Sequence, residues 1–387
     1  MNVLLAATFA QAGSMVSDQG IPVLLPFIKH DLNLSLPAAA LLVTTMGSGR
    51  FIASLPVGQL VDRIGSRAVL GGTCVVLSVV LGLASLANSL PLLVVLLVAA
   101  GAATAGTTSA GAALVARAFA SRRGLAMGIR QSGVPLGGLI GGLLLPWIAT
   151  AVSWHWAIAA SAAFALAGAI TVYVLTTDRD EARSGRPALG LVVSLLKSKP
   201  LIAVFVWGGV FVVGQYSFIT LIAVQEGGLA LGVLMVTFAQ LGGALGRPAW
   251  GLFSDLIGQR RRLCMLLISA AAVACTMVIG RLQPSAGPGL LGAFAFAFGI
   301  AMIGWQGLWA TSISEITGPG QAGTALGIGQ MFIQVGIVAG PAILALIIER
   351  GGFNFAWTAL GVALLVATLP LLLIRNWPVE GRFAVRA

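Results

Sequence analysis

Charged residues are scarce in this chain. Asp, Glu, Lys and Arg make up 9% of its 387 residues, whereas a soluble domain carries about 25%. Hydrophobic residues make up 58%, so a soluble enzyme, a nucleic-acid-binding protein and a disordered protein are all poor fits. A formal net charge of +11 would usually suggest nucleic-acid binding. In this chain the basic residues lie between apolar blocks, so the charge requires another explanation.

Residues and motifs that support catalysis or metal binding are also few. Cys74, Cys264 and Cys275 all fall within or beside apolar blocks, so neither a disulfide framework nor a metal site is indicated, and we expect no cofactor. A G-x-x-x-x-G-K-S/T loop is missing, which argues against ATP as the energy source of this chain. With no H-E-x-x-H motif, and with His30 and His155 at predicted helix ends, we expect no enzyme.

Long apolar runs, by contrast, are abundant. Runs of about 20 residues predict membrane-spanning helices, and runs such as 92–103 do not alternate as the strands of a barrel would. The first run contains Asp18 and is too long for a cleavable signal peptide. The sequence therefore predicts an all-α membrane protein with twelve transmembrane helices. They lie near 4–28, 37–61, 68–88, 91–115, 124–149, 154–176, 201–224, 229–253, 263–281, 288–311, 321–348 and 353–375.

Most basic residues lie in those gaps between apolar runs that fall on one side of the membrane. The even-numbered gaps and the C-terminal tail hold sixteen of the 22 Lys and Arg residues, and the odd-numbered gaps hold three. Since cytoplasmic loops collect basic residues, we expect both termini in the cytoplasm and the chain in the inner (plasma) membrane. The polar stretch 177–200 predicts a cytoplasmic linker between two six-helix bundles, 1–176 and 201–387.

Two segments occur twice in the chain. The pattern G-x-x-x-D-x-I-G-x-R begins at Gly58 and again at Gly251, 193 residues later, and the segment from Gly124 matches that from Gly323. These matches predict a duplicated six-helix unit. Such repeats place a substrate near the membrane midplane and transport it by rocking one half against the other.

At these residues the chain resembles the major facilitator superfamily over essentially its whole length. The loop signature of that family, G-x-L-x-D-R-x-G-x-R, is present here, and a weaker copy occurs in the second half. The signature residues are Gly58, Leu60, Asp62, Arg63, Gly65 and Arg67, and those of the copy are Gly251, Asp255, Gly258 and Arg260.

In the family this loop is a conformational latch. The resemblance implies that Asp62 faces the start of helix eleven near Gly323, and that Asp255 faces the start of helix five near Gly124. A carboxylate at a helix N-terminus is favoured by roughly 0.3–1 kcal/mol. The alternative is an ordinary turn with a solvated charge.

Two departures from the family weigh against a drug antiporter without removing it. Ala102 stands in helix four, where many drug and sugar members carry an arginine. The helix-five segment 133–138 is close to the antiporter signature G-x-x-x-G-P-x-x-G-G but does not match it.

Asp18, Arg50, Arg130 and Arg247 are the four clear cases of ionisable residues within predicted spans. Each costs about 2.5–3.5 kcal/mol on insertion scales, so each is expected to face a cavity or a partner. Asp18 is the candidate proton carrier, because desolvation favours the neutral form of a carboxyl group. For Arg50, either a pair with Asp18 or substrate binding remains open.

Arg130 and Arg247 have no charged counterpart in the other repeat. A guanidinium is suited to a carboxylate, phosphate or sulfonate. Arg130 lies about 9 Å into its helix, so the alternative is that it extends to the cytoplasmic surface. Arg247 precedes Pro248, so the alternative there is a simple kink.

Uncharged polar and aromatic side chains complete the predicted substrate site. The candidates are Gln131, Gln215, Tyr216, Trp305, Gln306, Gln330 and Gln334. Aromatic residues can instead pack in the core or against lipid, and we expect Trp154, Trp156 and Trp377 in the interfacial belt.

The sequence thus predicts a secondary active transporter that moves a small, carboxylate-like organic anion by alternating access. Three intramembrane arginines against one aspartate favour an anion, and proton coupling would pass through Asp18. The partners expected are that anion, protons and the lipid bilayer, with no nucleic acid, and the chain is expected to be a monomer. The alternative is a proton-driven efflux antiporter for drugs or metabolites.

Overall fold

The computed structural model describes residues 1–34, 36–119, 122–177, 189–225, 229–318 and 321–374, and these are almost entirely helical. The first half contains α1 (Asn2–Gly20), α2 (Leu25–Asp31), α3 (Leu36–Ile64), α4 (Ser66–Ala84), α5 (Leu90–Ala118), α6 (Arg123–Ala151) and α7 (Trp154–Leu175). The second half contains α8 (Leu189–Lys197), α9 (Lys199–Gln225), α10 (Leu229–Leu256), α11 (Arg261–Ile279), α12 (Pro288–Phe298), α13 (Gln306–Thr317) and α14 (Ala322–Leu373).

The helices coincide with the predicted spans, with breaks inside two of them and a third break between spans eleven and twelve. Span one is divided into α1 and α2 by a short 3₁₀ turn, Ile21–Leu24, which contains Pro22 and therefore lacks one backbone donor. Span ten is divided into α12 and α13 by a π-helical turn, Gly299–Ile303. Spans eleven and twelve together form α14, which is broken at Gly352, where φ is 77°. Such a positive φ suits glycine because it has no Cβ.

Eight helical stretches within the described ranges are long and apolar enough to cross a membrane. In such helices every backbone N–H and C=O pairs inside the segment, which lipid requires. The predicted linker 177–200 contains α8, and its part 178–188 lies outside the described residues.

The chain forms two compact units. Counting the described residues in each range, unit 1 is Met1–Ala118, Arg130–Pro187 and Thr317–Met331. Unit 2 is Phe119–Ile129, Ala188–Ile316 and Phe332–Ala387. The predicted bundles 1–176 and 201–387 differ from these units by two exchanged segments, at the starts of α6 and α14.

In unit 1, α3 packs against α5, and α4 packs against both α5 and α7. The α3–α5 contact is close, since a Cβ at Gly101 would overlap the backbone of Met46. Small residues permit this approach in membrane helices. Trp154 is 3% exposed and packs inside unit 1, whereas Trp156 is 64% exposed, and their place in the interfacial belt stays a prediction. Trp377 lies outside the described residues.

In unit 2, α10 packs against α12 and the π-helical turn. The indole Nε1 of Trp250 donates to the carbonyl of Ile300 at 2.9 Å. This bond supplies a partner to a carbonyl inside the π-helical turn, where the regular helical pattern is interrupted.

Candidate functional site

Within unit 1, the Asp62 carboxylate accepts hydrogen bonds from the first turn of α14. Its donors are the Gly323 N–H at 3.0 Å, the Thr324 N–H at 2.7 Å and the Thr324 hydroxyl at 2.6 Å. The first N–H groups of a helix have no intrahelical partner, so Asp62 satisfies two of them. The turn that follows needs glycine at Gly65, where φ is 90°.

Within unit 2, Asp255 makes the equivalent contacts with the first turn of α6. Its oxygens accept from the N–H groups of Gly124 at 3.3 Å and Leu125 at 2.9 Å. The following turn again needs glycine, at Gly258, with a φ of 82°. Both signature carboxylates therefore lie where the resemblance placed them.

The unit 2 contact is part of a network of charged side chains. Arg261 donates to Asp255 at 2.5 Å and binds both oxygens of Glu315, at 3.2 and 3.1 Å. Arg123 lies 3.7 Å from the same Glu315 carboxylate. In the first repeat, Ala68 stands at the position that matches Arg261.

The signature arginines differ in their surroundings. Arg63 and Arg260 are exposed, and the guanidinium nearest Asp255 belongs to Arg261. Arg67 donates to the Tyr173 carbonyl at 3.1 Å, and its guanidinium lies over the Tyr173 ring. Arg67 therefore ties α4 to α7 within unit 1.

Asp18 and Arg50 form an ion pair in unit 1. Each side chain is 10% exposed, and Arg50 Nε also donates to the Thr104 hydroxyl at 3.2 Å. The sequence left two partners open for Arg50, and the structure places the carboxylate of Asp18 against it. A buried charge is retained when an opposite charge and hydrogen bonds accompany it.

Arg130 is fully buried in unit 1, so its side chain does not extend to the surface. Its Nη2 donates to Gln11 Oε1 at 2.6 Å and to the carbonyls of Thr108 at 2.7 Å and Thr107 at 3.1 Å. Its Nη1 donates to Gln131 Oε1 at 3.3 Å. All these acceptors are neutral, and Arg130 forms no ion pair with any residue in the described part of the chain.

Gly111 makes room for the Arg130 guanidinium. A Cβ at Gly111 would lie 2.8 Å from Arg130 Nε and 3.0 Å from Nη2. That Nε has no hydrogen-bond acceptor among the described residues. The result is a positive charge that is enclosed and oriented without a described anion.

Arg247 is likewise fully buried, in unit 2. Its Nη2 donates to Gln306 Oε1 at 3.0 Å, and Gln306 Nε2 lies 3.4 Å from Gln215 Oε1. Tyr216 follows Gln215 in the sequence of α9. Three residues predicted for the substrate site, Arg247, Gln306 and Gln215, thus lie together on α10, α13 and α9.

The aromatic candidate Trp305 is part of a buried cluster in unit 2. Its ring packs edge-on against Trp207 and Trp309, with centroids 5.5 and 6.1 Å away. Trp305 Nε1 and Gln334 Oε1 are both buried without a hydrogen-bond partner in the described ranges. Gln330, one turn before Gln334, is half-buried.

Comparison with known proteins identifies the family of this chain. The model of the Major Facilitator Superfamily matches residues 7–341. The chain belongs to this superfamily. It is therefore a multi-pass membrane transporter of small molecules, and the predicted all-α fold is confirmed.

Two relatives and one solved structure show how similar this superfamily member is to other proteins. An uncharacterized MFS-type transporter of Mycobacterium tuberculosis is 28% identical over 382 residues, 97% of this chain and 85% of that protein. The hexuronate transporter of Bacillus subtilis is 23% identical over 370 residues, 90% of this chain and 88% of its own. The crystal structure of the human organic anion transporter MFSD10 matches with a TM-score of 0.75 and 15% identity, covering 96% of this chain and 99% of that one.

Several contact residues of this superfamily member were missed by sequence reasoning. They are Gln11, Gly111, Thr324, Arg261 and Glu315. The amide oxygen of Gln11 binds Arg130. The signal for Arg261 was the second arginine after Gly258, and the other four carried no pattern that distinguishes them.

Proposed function

We propose that this chain is a secondary transporter for a small organic anion with a carboxylate. The observation that carries the proposal is Arg130, a fully buried guanidinium held only by neutral oxygens of the described residues. Such a group attracts an anion strongly, since a charge in a low-dielectric interior is costly without a counter-charge. Binding requires that Gln11 give up its bond to Nη2 so that a carboxylate takes its place.

The Asp18–Arg50 pair is the proposed coupling element. A proton taken up by Asp18 neutralises the carboxylate, breaks the pair and leaves the guanidinium of Arg50 as a second positive group for the substrate. Loss of that proton restores the pair. Proton and anion would then move together, which corresponds to symport.

The names of two similar proteins support an anionic substrate. One relative is a hexuronate transporter, and a hexuronate carries one carboxylate on a sugar frame. A protein of the same fold is an organic anion transporter. For this chain we infer only the shared chemistry, a small molecule with at least one carboxylate.

Uptake into proteoliposomes tests this proposal. With an imposed inward proton gradient, labelled hexuronate or a dicarboxylate should accumulate several-fold over a neutral hexose, and collapse of the gradient should remove the accumulation. If no carboxylate moves while lipophilic drugs are expelled against a gradient, the chain is the efflux antiporter instead.

Asp62 and Asp255 are the proposed latches of the conformational cycle, with the proposed domains 1–176 and 201–387 as the moving parts. Their bonds to the helix N-termini at Gly323 and Gly124 hold one conformation and must break in the other. Asp62→Ala and Asp255→Ala should each lower the uptake rate several-fold, whereas Arg350→Gln, at an exposed position outside the latch, should not. Unchanged uptake in both aspartate variants would contradict the latch.

The inner membrane is the proposed location, with both termini in the cytoplasm. The excess of basic residues in the even-numbered gaps supports this orientation.

A further inference from the structure

A cavity of about 400 Å³ lies at one end of unit 1, apart from the buried arginines. It is formed by α2 and by the corner between α6 and α7. Its lining residues are Pro26, Phe27, His30, Asp31, Ala149, Ser153, Trp154 and His155. The cavity therefore contains both histidines of the chain.

The cavity contains one carboxylate and two imidazole side chains. Asp31 Oδ2 accepts a hydrogen bond from Trp154 Nε1 at 2.9 Å, and Asp31 forms no ion pair with any residue that the structure describes. The His155 ring stacks on Trp154 with centroids 3.7 Å apart, and its Nε2 lies 3.3 Å from Asn88 Oδ1. His30 is exposed at the rim.

Few other charges surround these groups. Lys29 precedes His30 on α2, and the segments 85–92 and 147–156 contain no Asp, Glu, Lys or Arg. The ionisable set at this end of unit 1 is therefore Lys29, His30, Asp31 and His155. Of these, His30, Asp31 and His155 line the cavity, so one carboxylate and two imidazoles share it.

Exposed apolar side chains lie beside the cavity. Trp147 and Trp156 are 67% and 64% exposed, and Val152 between them is 66% exposed. Exposed tryptophans at helix ends are typical of the membrane interface. They support a position of this cavity near the lipid headgroups.

We propose that this cavity binds the phosphoethanolamine headgroup of a phospholipid. The ammonium of the headgroup donates to Asp31, and the exposed imidazole of His30 donates its N–H to the phosphate, since neutral imidazole has one N–H donor. Phe27 and Trp154 form the apolar wall for the glycerol. Phosphatidylglycerol lacks the ammonium, and phosphatidylcholine has an ammonium without N–H donors.

Native mass spectrometry of the full-length protein with an equal mixture of these three lipids tests the proposal. The wild type should retain phosphatidylethanolamine in excess over phosphatidylglycerol. Asp31→Asn, an isosteric change, should lower that ratio about fivefold, as loss of one charge-assisted bond predicts. Glu349→Gln removes the same charge from an exposed position of α14 and should leave the ratio unchanged.

His30→Ala separates the two ends of the headgroup. It should lower retention of both lipids without changing their ratio, because both carry the phosphate. Thermal unfolding of each variant in detergent checks that it folds. An unchanged lipid ratio in folded Asp31→Asn would overturn the proposal.

Soluble phosphoethanolamine distinguishes the source of the headgroup. In detergent without added lipid it should raise the melting temperature of the wild type little at millimolar concentration, because the apolar wall is left uncovered. If it stabilises the wild type strongly while phosphatidylethanolamine is not enriched, the cavity is a site for a free zwitterion and the lipid proposal is wrong.

Discussion

Arg50 and Arg130 are two buried guanidinium groups of unit 1 with opposite surroundings. Arg50 is 9% exposed and Arg130 is fully buried. The described partners of Arg50 include the carboxylate of Asp18, whereas Arg130 is held by Gln11 and two backbone carbonyls. The comparison shows that a position deep in the membrane makes a charge costly. Whether that charge is available to a ligand depends on whether a counter-charge is already bound to it.

This contrast assigns different roles to the two arginines. A paired charge must first lose its partner before it can bind a substrate, so the Asp18–Arg50 pair is suited to control by protons. A charge held by neutral oxygens exchanges one neutral acceptor for an anion. Three predictions break or sharpen this comparison.

Removal of the Arg130 guanidinium should have the largest effect. Truncation of one partner in a buried, hydrogen-bonded charge pair costs about 2–5 kcal/mol, so Arg130→Ala should lower anion uptake on the order of 100-fold. Arg130→Lys keeps the charge without the planar fork and should retain partial activity with a raised KM. The measurement is initial uptake rate against substrate concentration in proteoliposomes.

The control for Arg130 is a basic residue outside any proposed site. Exposed Arg350→Ala should transport like the wild type. A folded Arg130→Ala protein that moves the anion at the wild-type rate would remove Arg130 from the site.

Neutralising Asp18 should have an intermediate effect. Asp18→Asn leaves Arg50 without its carboxylate, and an unpaired buried charge costs about 3–5 kcal/mol, so the melting temperature should fall. Accumulation driven by a proton gradient should be lost, whereas exchange of labelled for unlabelled anion should persist.

The double variant Asp18→Asn/Arg50→Gln removes both charges of the pair. Because a neutral replacement for a buried pair costs far less than a broken pair, it should melt at a higher temperature than Asp18→Asn alone. Equal melting temperatures of the single and double variants would show that the pair does not stabilise unit 1.

A methyl group beside Arg130 should have the smallest effect. In Gly111→Ala the new Cβ would lie 2.8 Å from Arg130 Nε, which displaces the guanidinium and should raise the KM about threefold to tenfold, because a small misplacement weakens one charge-assisted bond. Gly82→Ala is the matched control, since nothing lies within 4 Å of its Cβ. A changed melting temperature with an unchanged KM would indicate packing alone.

The two latch contacts show where sequence reasoning succeeds and where it stops. The resemblance implied that Asp62 and Asp255 face helix starts, and both carboxylates accept hydrogen bonds there. The arginine that donates to Asp255 is Arg261, which follows the signature residue Arg260. Neighbouring residues at the start of a helix point about 100° apart, and only the packing of α11 decides which one faces inward.

The sequence by itself determined the twelve spans, the repeat and the presence of four costly charges. The bilayer imposes these features on each helix separately. Each helix must form its own backbone hydrogen bonds, and each buried charge interrupts an apolar run in the sequence. Only the tertiary structure decided that Asp18 lies against Arg50 and that Arg130 lies against Gln11. Those contacts join helices that are distant in sequence. The helical period shows how deep a residue lies and on which face of its helix, but not which other helix packs against that face.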